Sequence, residues 1–268
     1  MKAFLDMVGC RLNQAEIDKL ALDLALEGYQ VVPDAQEADV IIVNTCCVTA
    51  KAAADSKKMI RHYQNKAVGR VVAMGCWPSA FENDAKALVG EANVLLNDQK
   101  DLPFDLFAEA SPVSRNISSK PDLGPRNRTR AFIKVQDGCN NRCSYCLTRI
   151  ARGPARSYPV NDVIGDINRM VELGVKEVVL TGVQIGAWRS ETGDGLERLI
   201  ETILKETDIP RIRISSIEPW EVTDQLIDMF GNSRLCPQLH IPLQSGTDKI
   251  LRRMQRPGSA EQYRSLLF

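Results

Sequence analysis

The amino-acid sequence predicts an α/β protein built from two successive β/α series. In both halves of the chain, short apolar runs of strand length alternate with longer stretches that carry apolar residues at helical spacing. Strands that are apolar throughout and alternate with helices are typical of parallel sheets covered by helices on both faces. The length agrees, because 268 residues correspond to roughly two domains. We therefore expect two α/β domains.

The first series runs from residue 1 to residue 108. Apolar residues at helical spacing, such as Ile17, Leu20 and Leu24, predict a helix at 13–27, and a second helix is predicted at 49–63. Short apolar runs predict strands at 2–8, 29–32, 39–44, 70–75 and 93–97. We expect these elements to form an N-terminal domain around one parallel sheet.

A composition break separates the two series, since residues 109–129 are rich in proline, glycine, serine and asparagine and indicate a linker. The second series occupies residues 130–268. Its predicted strands lie at 131–136, 177–181, 211–215 and 238–242, and its predicted helices at 160–173, 196–207, 222–230 and 248–254. This is about four β/α units, whereas a complete barrel has eight. We therefore expect a partial (β/α)₈ barrel that is incomplete at its C-terminal end.

The composition excludes several classes of protein. With 44% hydrophobic and 25% charged residues, the chain is neither disordered nor collagen-like, and it does not need a disulfide scaffold. No apolar run approaches the ~20 residues that span a bilayer, and the N-terminus lacks the apolar centre of a signal peptide. We therefore expect a cytoplasmic protein with no membrane partner.

Eight cysteines and two histidines are the unusual counts. In a reducing compartment such thiols indicate metal ligands or catalytic groups rather than disulfides. The strongest pattern, Cys139-x₃-Cys143-x₂-Cys146, directly follows a predicted strand. Structural zinc and cubane iron–sulfur clusters normally take four protein ligands, so three thiolates leave one position open, as in a reactive centre. The alternative is a coincidence or a zinc knuckle completed from afar.

Three further cysteines, Cys10, Cys46 and Cys76, each follow a predicted strand of the first domain. The carboxyl ends of parallel strands lie at one edge of a sheet, where ligands bind, so these three side chains would converge. The alternative is three core residues, because free cysteine is often buried. Cys47 adjoins Cys46, but neighbouring side chains on an extended segment point to opposite faces, so we expect only one of them to be a ligand.

The pattern around Cys139 resembles the signature of the radical S-adenosylmethionine (SAM) enzymes, and Tyr145 stands at that family's usual aromatic position. The resemblance implies that Cys139, Cys143 and Cys146 bind a 4Fe–4S cluster whose fourth iron is chelated by SAM. Reductive cleavage of SAM then gives methionine and a 5′-deoxyadenosyl radical.

Two three-cysteine sets in this order resemble the methylthiotransferases, a subgroup of the radical SAM enzymes. The matching segments cover nearly the whole chain: 9–14, 44–49, 75–76, 132–146, 151–153, 180–182, 215–219 and 240–246. The resemblance implies an N-terminal methylthiotransferase domain, in which Cys10, Cys46 and Cys76 bind an auxiliary 4Fe–4S cluster that supplies or carries sulfur, and a truncated radical SAM partial TIM barrel. It implies no catalytic residue beyond the cluster ligands. The stretch 147–150 departs from the family's pattern.

Within this subgroup the sequence is most similar to the branch that methylthiolates C2 of N6-threonylcarbamoyladenosine next to the tRNA anticodon. The close alternatives act on isopentenyl-adenosine in tRNA or on an aspartate of a ribosomal protein. The implied partners are a tRNA anticodon stem-loop and an electron donor of flavodoxin or ferredoxin type. A non-enzymatic alternative is an iron–sulfur electron-transfer or metal-binding protein, but electron carriers normally complete the cluster with four cysteines.

Two further expectations concern the surroundings of the cysteines. The carboxyl ends of barrel strands carry the active site, so we expect SAM contacts from Gln184, Ser215, Glu218 and Gln244. Ten basic residues but only two acidic ones lie between positions 115 and 156. Such a stretch could neutralise tRNA phosphates. For Glu218, the alternative is an ordinary loop carboxylate. For the basic stretch, the alternative is a solvated linker with incidental charge.

Overall fold

The computed structural model describes residues 1–66, 69–100 and 128–267. Most of the predicted linker, residues 109–127, therefore lies outside the described residues. The chain divides into two compact units. The first unit comprises Met1–Arg128 and Ile150–Arg152, and the second comprises Thr129–Arg149 and Gly153–Phe268. None of the described helices is long and apolar enough to cross a membrane.

The first unit is built on a five-stranded sheet in the order β2-β1-β3-β4-β5, with every neighbouring pair parallel. Its strands are β1 (Lys2–Met7), β2 (Gln30–Val31), β3 (Val40–Thr45), β4 (Arg70–Gly75) and β5 (Val94–Leu95). The central strand β3 is buried along its whole length, as its continuous apolar run predicts for a strand covered on both faces. The predicted parallel N-terminal sheet is confirmed.

Within the described part of this unit, four helices pack on the sheet or follow its strands. They are α1 (Arg11–Leu26), α2 (Ala50–Lys66), α3 (Cys76–Ala80) and α4 (Glu82–Val89). In α1 the apolar face that includes Ile17, Leu20 and Leu24 is buried, as the helical spacing predicts. The sequence did not predict α3 or α4, because helices of five and eight residues are too short to show clear periodicity.

The second unit contains a three-stranded parallel sheet in the order β10-β9-β6 and a short antiparallel pair, β7 with β8. Its strands are β6 (Arg130–Lys134), β7 (Gln136–Asp137), β8 (Arg156–Ser157), β9 (Glu177–Thr181) and β10 (Arg211–Ile214). Its helices are α6 (Val160–Glu172), α7 (Leu196–Glu206), α8 (Asp224–Asp228), α9 (Asp248–Arg253) and α10 (Ala260–Leu267). The short helix α5 (Thr148–Arg152) is divided, because Ile150–Arg152 belong to the first unit.

The expected fourth strand at 238–242 is not formed as a ladder. The chain instead follows β10 through two single parallel bridges, from Ile212 to Leu235 and from Ser216 to His240. Pro237 precedes this segment and Pro242 is its last residue, and proline has no backbone N–H to donate to a ladder. The buried core of this unit lies between the three-stranded sheet and the apolar faces of α6 and α7.

Candidate functional site

Three cysteines lie at the carboxyl edge of the first unit's sheet. Cys10 is the residue before α1 and follows β1, Cys46 follows β3, and Cys76 begins α3 directly after β4. Because β1, β3 and β4 are neighbours in the sheet, these residues leave it at the same edge. Cys46 and Cys76 are buried, whereas Cys10 is exposed. We call them the auxiliary set.

Their thiols interact electrostatically. Burial raises the pKa of the Cys46 thiol, and the neighbouring Cys76 and Cys10 raise it further, against the opposing charge of Arg152. These contributions are consistent with the placement of the three cysteines at one sheet edge. That they bind one cluster stays a prediction.

Two glycines allow this close approach. Gly9 has φ +140°, and a Cβ on it would lie 3.0 Å from the Cβ of Cys46. Gly75 has φ +105°, and a Cβ on it would overlap the Oδ1 of Asn44 and lie 2.6 Å from the carbonyl oxygen of Thr45. A side chain at either position would be strained and would push the cysteine loops apart.

Asparagine side chains fasten the loops to each other. The Asn13 amide donates to the carbonyl oxygen of Thr45 at 2.9 Å, and the Asn44 amide donates to the carbonyl oxygen of Asn13 at 3.0 Å. The backbone N–H of Cys46 donates to the Ser56 hydroxyl oxygen at 3.0 Å. These bonds satisfy buried polar groups and fix the backbone that carries the auxiliary set.

Cys47 is also buried, but its thiol makes a different contact. Its Sγ donates to the carbonyl oxygen of Cys76 at 3.2 Å. The choice of Cys46 over Cys47 as the ligand stays a prediction from the sequence.

Arg152 is a part of this site that sequence reasoning assigned elsewhere. It belongs to the basic stretch at 115–156, but its side chain is only 2% exposed. Its Nε donates to Cys76 Sγ at 3.1 Å, and its two terminal nitrogens donate to Glu16 Oε1 at 2.8 Å and to Asn13 Oδ1 at 2.9 Å. Lys100 forms a buried ion pair with the same Glu16 at 2.5 Å.

The other three cysteines lie on the loop between β7 and α5 of the second unit, and all three are half-buried. Burial raises the pKa of the Cys139 thiol, and Cys146 and Cys143 raise it further, while the Asn141 N–H opposes this at 3.3 Å. The Cys139 thiol donates to Gln184 Oε1 at 3.1 Å. We call these three cysteines the loop set.

Two expected SAM contacts lie beside the loop set. Gln184 contacts Cys139 and also donates to Glu221 Oε1 at 2.5 Å, and burial raises the pKa of Glu221. Glu218 forms an ion pair with Arg256, which stacks 5.1 Å from the centre of the Trp220 ring. Arg256 Nη1 is also 3.9 Å from Cys143 Sγ. The sequence predicted neither the ion pair of Arg256 nor its stacking on Trp220. These contacts could not be predicted because ten residues or more separate Arg256 from each partner along the chain.

The other two expected SAM contacts differ. Ser215 follows β10 and is buried, and its Oγ has no hydrogen-bond partner among the described residues. A buried hydroxyl of this kind suits a polar ligand. Gln244 is exposed with φ +60°, and in the described residues it makes no hydrogen bond with the loop set. The structure therefore supplies supporting geometry for Gln184, Glu218 and Ser215, but not for Gln244.

A second residue of the basic stretch is also largely buried. The side chain of Lys134 is 8% exposed and forms an ion pair with Asp137 at 2.7 Å. Arg142 and Arg149 are exposed. The basic residues from 115 to 126 lie outside the described residues, so the stretch as a whole stays a prediction.

The donor chemistry of both sets fits iron–sulfur clusters. Within residues 1–66, 69–100 and 128–267, no group of three or more Cys, His, Asp or Glu side chains is arranged to hold a metal ion. Thiolates are nevertheless the usual ligands of iron–sulfur clusters, so the donor type of both sets suits such a cluster.

Comparisons with known proteins agree with this geometry. Residues 2–97 match the family model described as uncharacterized protein family UPF0004, and residues 133–267 match the radical SAM superfamily. The solved radical S-adenosylmethionine methyltransferase TsrM from Kitasatospora setae superimposes with a TM-score of 0.67, covering 99% of this chain and 64% of that chain. At 15% identity, this likeness concerns the fold.

Two curated relatives are more similar in sequence. The threonylcarbamoyladenosine tRNA methylthiotransferase MtaB of Thermotoga maritima is 34% identical over 262 residues, which cover 94% of this chain and 60% of the relative. The tRNA-2-methylthio-N(6)-dimethylallyladenosine synthase of Lawsonia intracellularis is 33% identical, covering 97% of this chain and 63% of the relative. The chain thus spans about three fifths of their length. It belongs to the radical SAM superfamily and, within it, to the methylthiotransferase family.

Proposed function

We propose that the protein methylthiolates tRNA at C2 of N6-threonylcarbamoyladenosine next to the anticodon. The observation that carries the proposal is the pair of three-cysteine sets, each contained in its own α/β unit. An adenine C2–H bond is unactivated, so acid–base chemistry cannot exchange its hydrogen for sulfur. The cofactors supply the radical chemistry when bound, and the protein holds and orients them.

The chain's own residues have separable tasks in this proposal. Cys139, Cys143 and Cys146 hold the cluster that binds SAM, and the auxiliary set holds the second cluster. Gln184 bridges Cys139 to Glu221 and fixes one side of the loop set. Ser215 offers a buried hydroxyl to SAM.

Glu218 is proposed to bind the SAM amine. Its carboxylate is already paired with Arg256, which Trp220 holds by stacking. The ion pair therefore orients the carboxylate before SAM arrives. Gln244 remains a proposed SAM contact on sequence grounds alone.

The tRNA substrate is supported by the activities for which both relatives are named. The exposed Arg142 and Arg149 flank the loop set and suit contacts with phosphates. Tyr145, which is 49% exposed, suits stacking on a base presented by a single-stranded loop. An electron donor of flavodoxin or ferredoxin type completes the proposed set of partners.

The branch within the family is the finer part of the proposal. The motifs at 9–14 and 44–49 favour threonylcarbamoyladenosine, and the relative from Thermotoga maritima carries that name. The second candidate is the isopentenyl-adenosine of the alternative branch, also called dimethylallyl-adenosine. It is favoured by the relative from Lawsonia intracellularis, whose sequence identity to this chain is nearly equal to that of the relative from Thermotoga maritima.

Mass spectrometry of tRNA nucleosides from a strain lacking the gene tests this proposal. We expect 2-methylthio-N6-threonylcarbamoyladenosine to disappear and its unmethylthiolated form to accumulate, with the dimethylallyl nucleoside unaffected as the internal control. Loss of the 2-methylthio dimethylallyl nucleoside instead would select the second candidate. Unchanged levels of both would reject tRNA as the substrate and direct the search to ribosomal protein.

A further inference from the structure

We propose that Arg152 is a positioning residue of the auxiliary cluster, which donates an N–H to the sulfur of Cys76 and thereby raises the reduction potential of that cluster. The inference rests on the proposed function, in which Cys10, Cys46 and Cys76 bind the cluster. The inference adds Arg152, which lies outside the cysteine motifs, to the cluster site. Glu16 would hold the Arg152 side chain in place.

The first argument is the fixed orientation of the guanidinium group. Its Nε is 3.1 Å from Cys76 Sγ, while its two terminal nitrogens donate to Glu16 and Asn13 at 2.8 Å and 2.9 Å. The planar group thus has donors engaged on three sides, and its side chain is 2% exposed. A guanidinium held in this way presents Nε–H to the sulfur without losing further side-chain entropy.

The second argument is the charge around Glu16. Two buried cations, Arg152 and Lys100, contact this one carboxylate at 2.8 Å and 2.5 Å. Arg152 is the member of this group that contacts Cys76. Its positive charge therefore lies where it can act on a cluster bound through Cys76.

The effect on a cluster follows from charge. Reduction adds a negative charge, and hydrogen bonds to cluster sulfurs and nearby positive charge stabilise the reduced state. Removing the Arg152 donor should therefore lower the midpoint potential. Removing the negative charge of Glu16 should raise it, because Arg152 keeps its charge.

The test isolates one cluster. In the Cys139→Ala/Cys143→Ala/Cys146→Ala background only the auxiliary set can bind iron. This chain is reconstituted anaerobically, and its midpoint potential is measured by titration followed by electron paramagnetic resonance. The variants are Arg152→Met, Arg152→Lys and Glu16→Gln, and the matched control is Arg61→Met, an exposed arginine on α2 of the same unit.

We expect Arg152→Met to lower the midpoint potential, Arg152→Lys to lower it less, Glu16→Gln to raise it and Arg61→Met to leave it unchanged. An unchanged potential in Arg152→Met overturns the inference. Shifts of the same sign in Arg152→Met and Glu16→Gln also overturn it, because they indicate a merely structural role. If Arg152→Met fails to hold a cluster, an unchanged or lowered potential in Glu16→Gln overturns it. Absence of iron in the background itself refutes the auxiliary cluster, and with it the proposed function.

Discussion

At the scale of single residues, backbone conformation decides whether the auxiliary set can form. Gly75 adopts φ +105° where β4 passes into α3, and the space for a Cβ is filled by Asn44 and the Thr45 backbone. The side chain of the next residue, Cys76, is thereby directed to the sheet edge. Glycine at this position is required on two independent grounds, its conformation and its contacts.

Replacing Gly75 by alanine should lower the free energy of unfolding by ~1–3 kcal/mol, because the new Cβ is strained and overlaps its neighbours. Thermal unfolding followed by circular dichroism measures the change. The matched control is Gly165→Ala in α6, where a Cβ meets no atom within 4 Å, and it should stabilise the protein by ~0.5–1 kcal/mol. Equal melting temperatures for the two variants would contradict the steric account.

At the scale of elements, a buried carboxylate ties the strands of the second sheet together. Glu177 begins β9, and it forms ion pairs with Arg130 of β6 at 2.7 Å and with Arg213 of β10 at 3.0 Å. Burial alone would raise the pKa of Glu177, but hydrogen bonding and charge from Arg213 and Arg130 outweigh it and hold the pKa below its ordinary value. One side chain thus links all three parallel strands.

This arrangement predicts a pH dependence of stability. Because the pKa of Glu177 is lower in the folded state, its contribution is complete at neutral pH and is lost as the pH falls through the unfolded and then the folded value. Glu177→Gln should cost about 1–3 kcal/mol at neutral pH, and the difference from the unaltered protein should shrink below about pH 5. Urea unfolding at several pH values measures it.

The exposed Glu172 on α6 offers a control for that experiment. Glu172→Gln changes the same functional group without altering the three-strand link, so its stability should follow that of the unaltered protein across the pH range. A difference for Glu177→Gln that persists undiminished at low pH would show that packing, rather than charge, explains the effect.

The sequence predicted most of these elements but not how distant residues meet. Apolar periodicity identified β3 and α1, because their burial pattern repeats along the chain itself. It could not identify Arg152 as a buried neighbour of Cys76, because 76 positions separate them and basic residues are usually exposed. The predicted strand at 238–242 failed because apolar content does not reveal whether backbone groups are available to pair.

At the scale of the whole molecule, each three-cysteine set belongs to one compact unit. Cys10, Cys46 and Cys76 lie in the first unit, and the loop set lies in the second. The side chains that shift the pKa of the Cys46 thiol all belong to the first unit, and those that shift the pKa of the Cys139 thiol all belong to the second. The two sets should therefore bind their clusters independently.

Iron analysis after anaerobic reconstitution tests this independence. The unaltered chain should bind about eight irons and about eight sulfides, since two clusters of the 4Fe–4S type are expected. Cys10→Ala/Cys46→Ala/Cys76→Ala should bind about half of this amount, and so should the triple alanine variant of the loop set. Loss of nearly all iron in either triple variant would contradict independent binding.

The ends of the first unit's sheet have a consequence for association between molecules. Its outermost strands, β2 and β5, contain two residues each, whereas β1, β3 and β4 contain six each. Unpaired backbone groups at a sheet edge are a template on which another chain can add a strand. Edges this short offer few such groups, so this sheet should resist edge-to-edge aggregation while its long strands hold the cysteine loops.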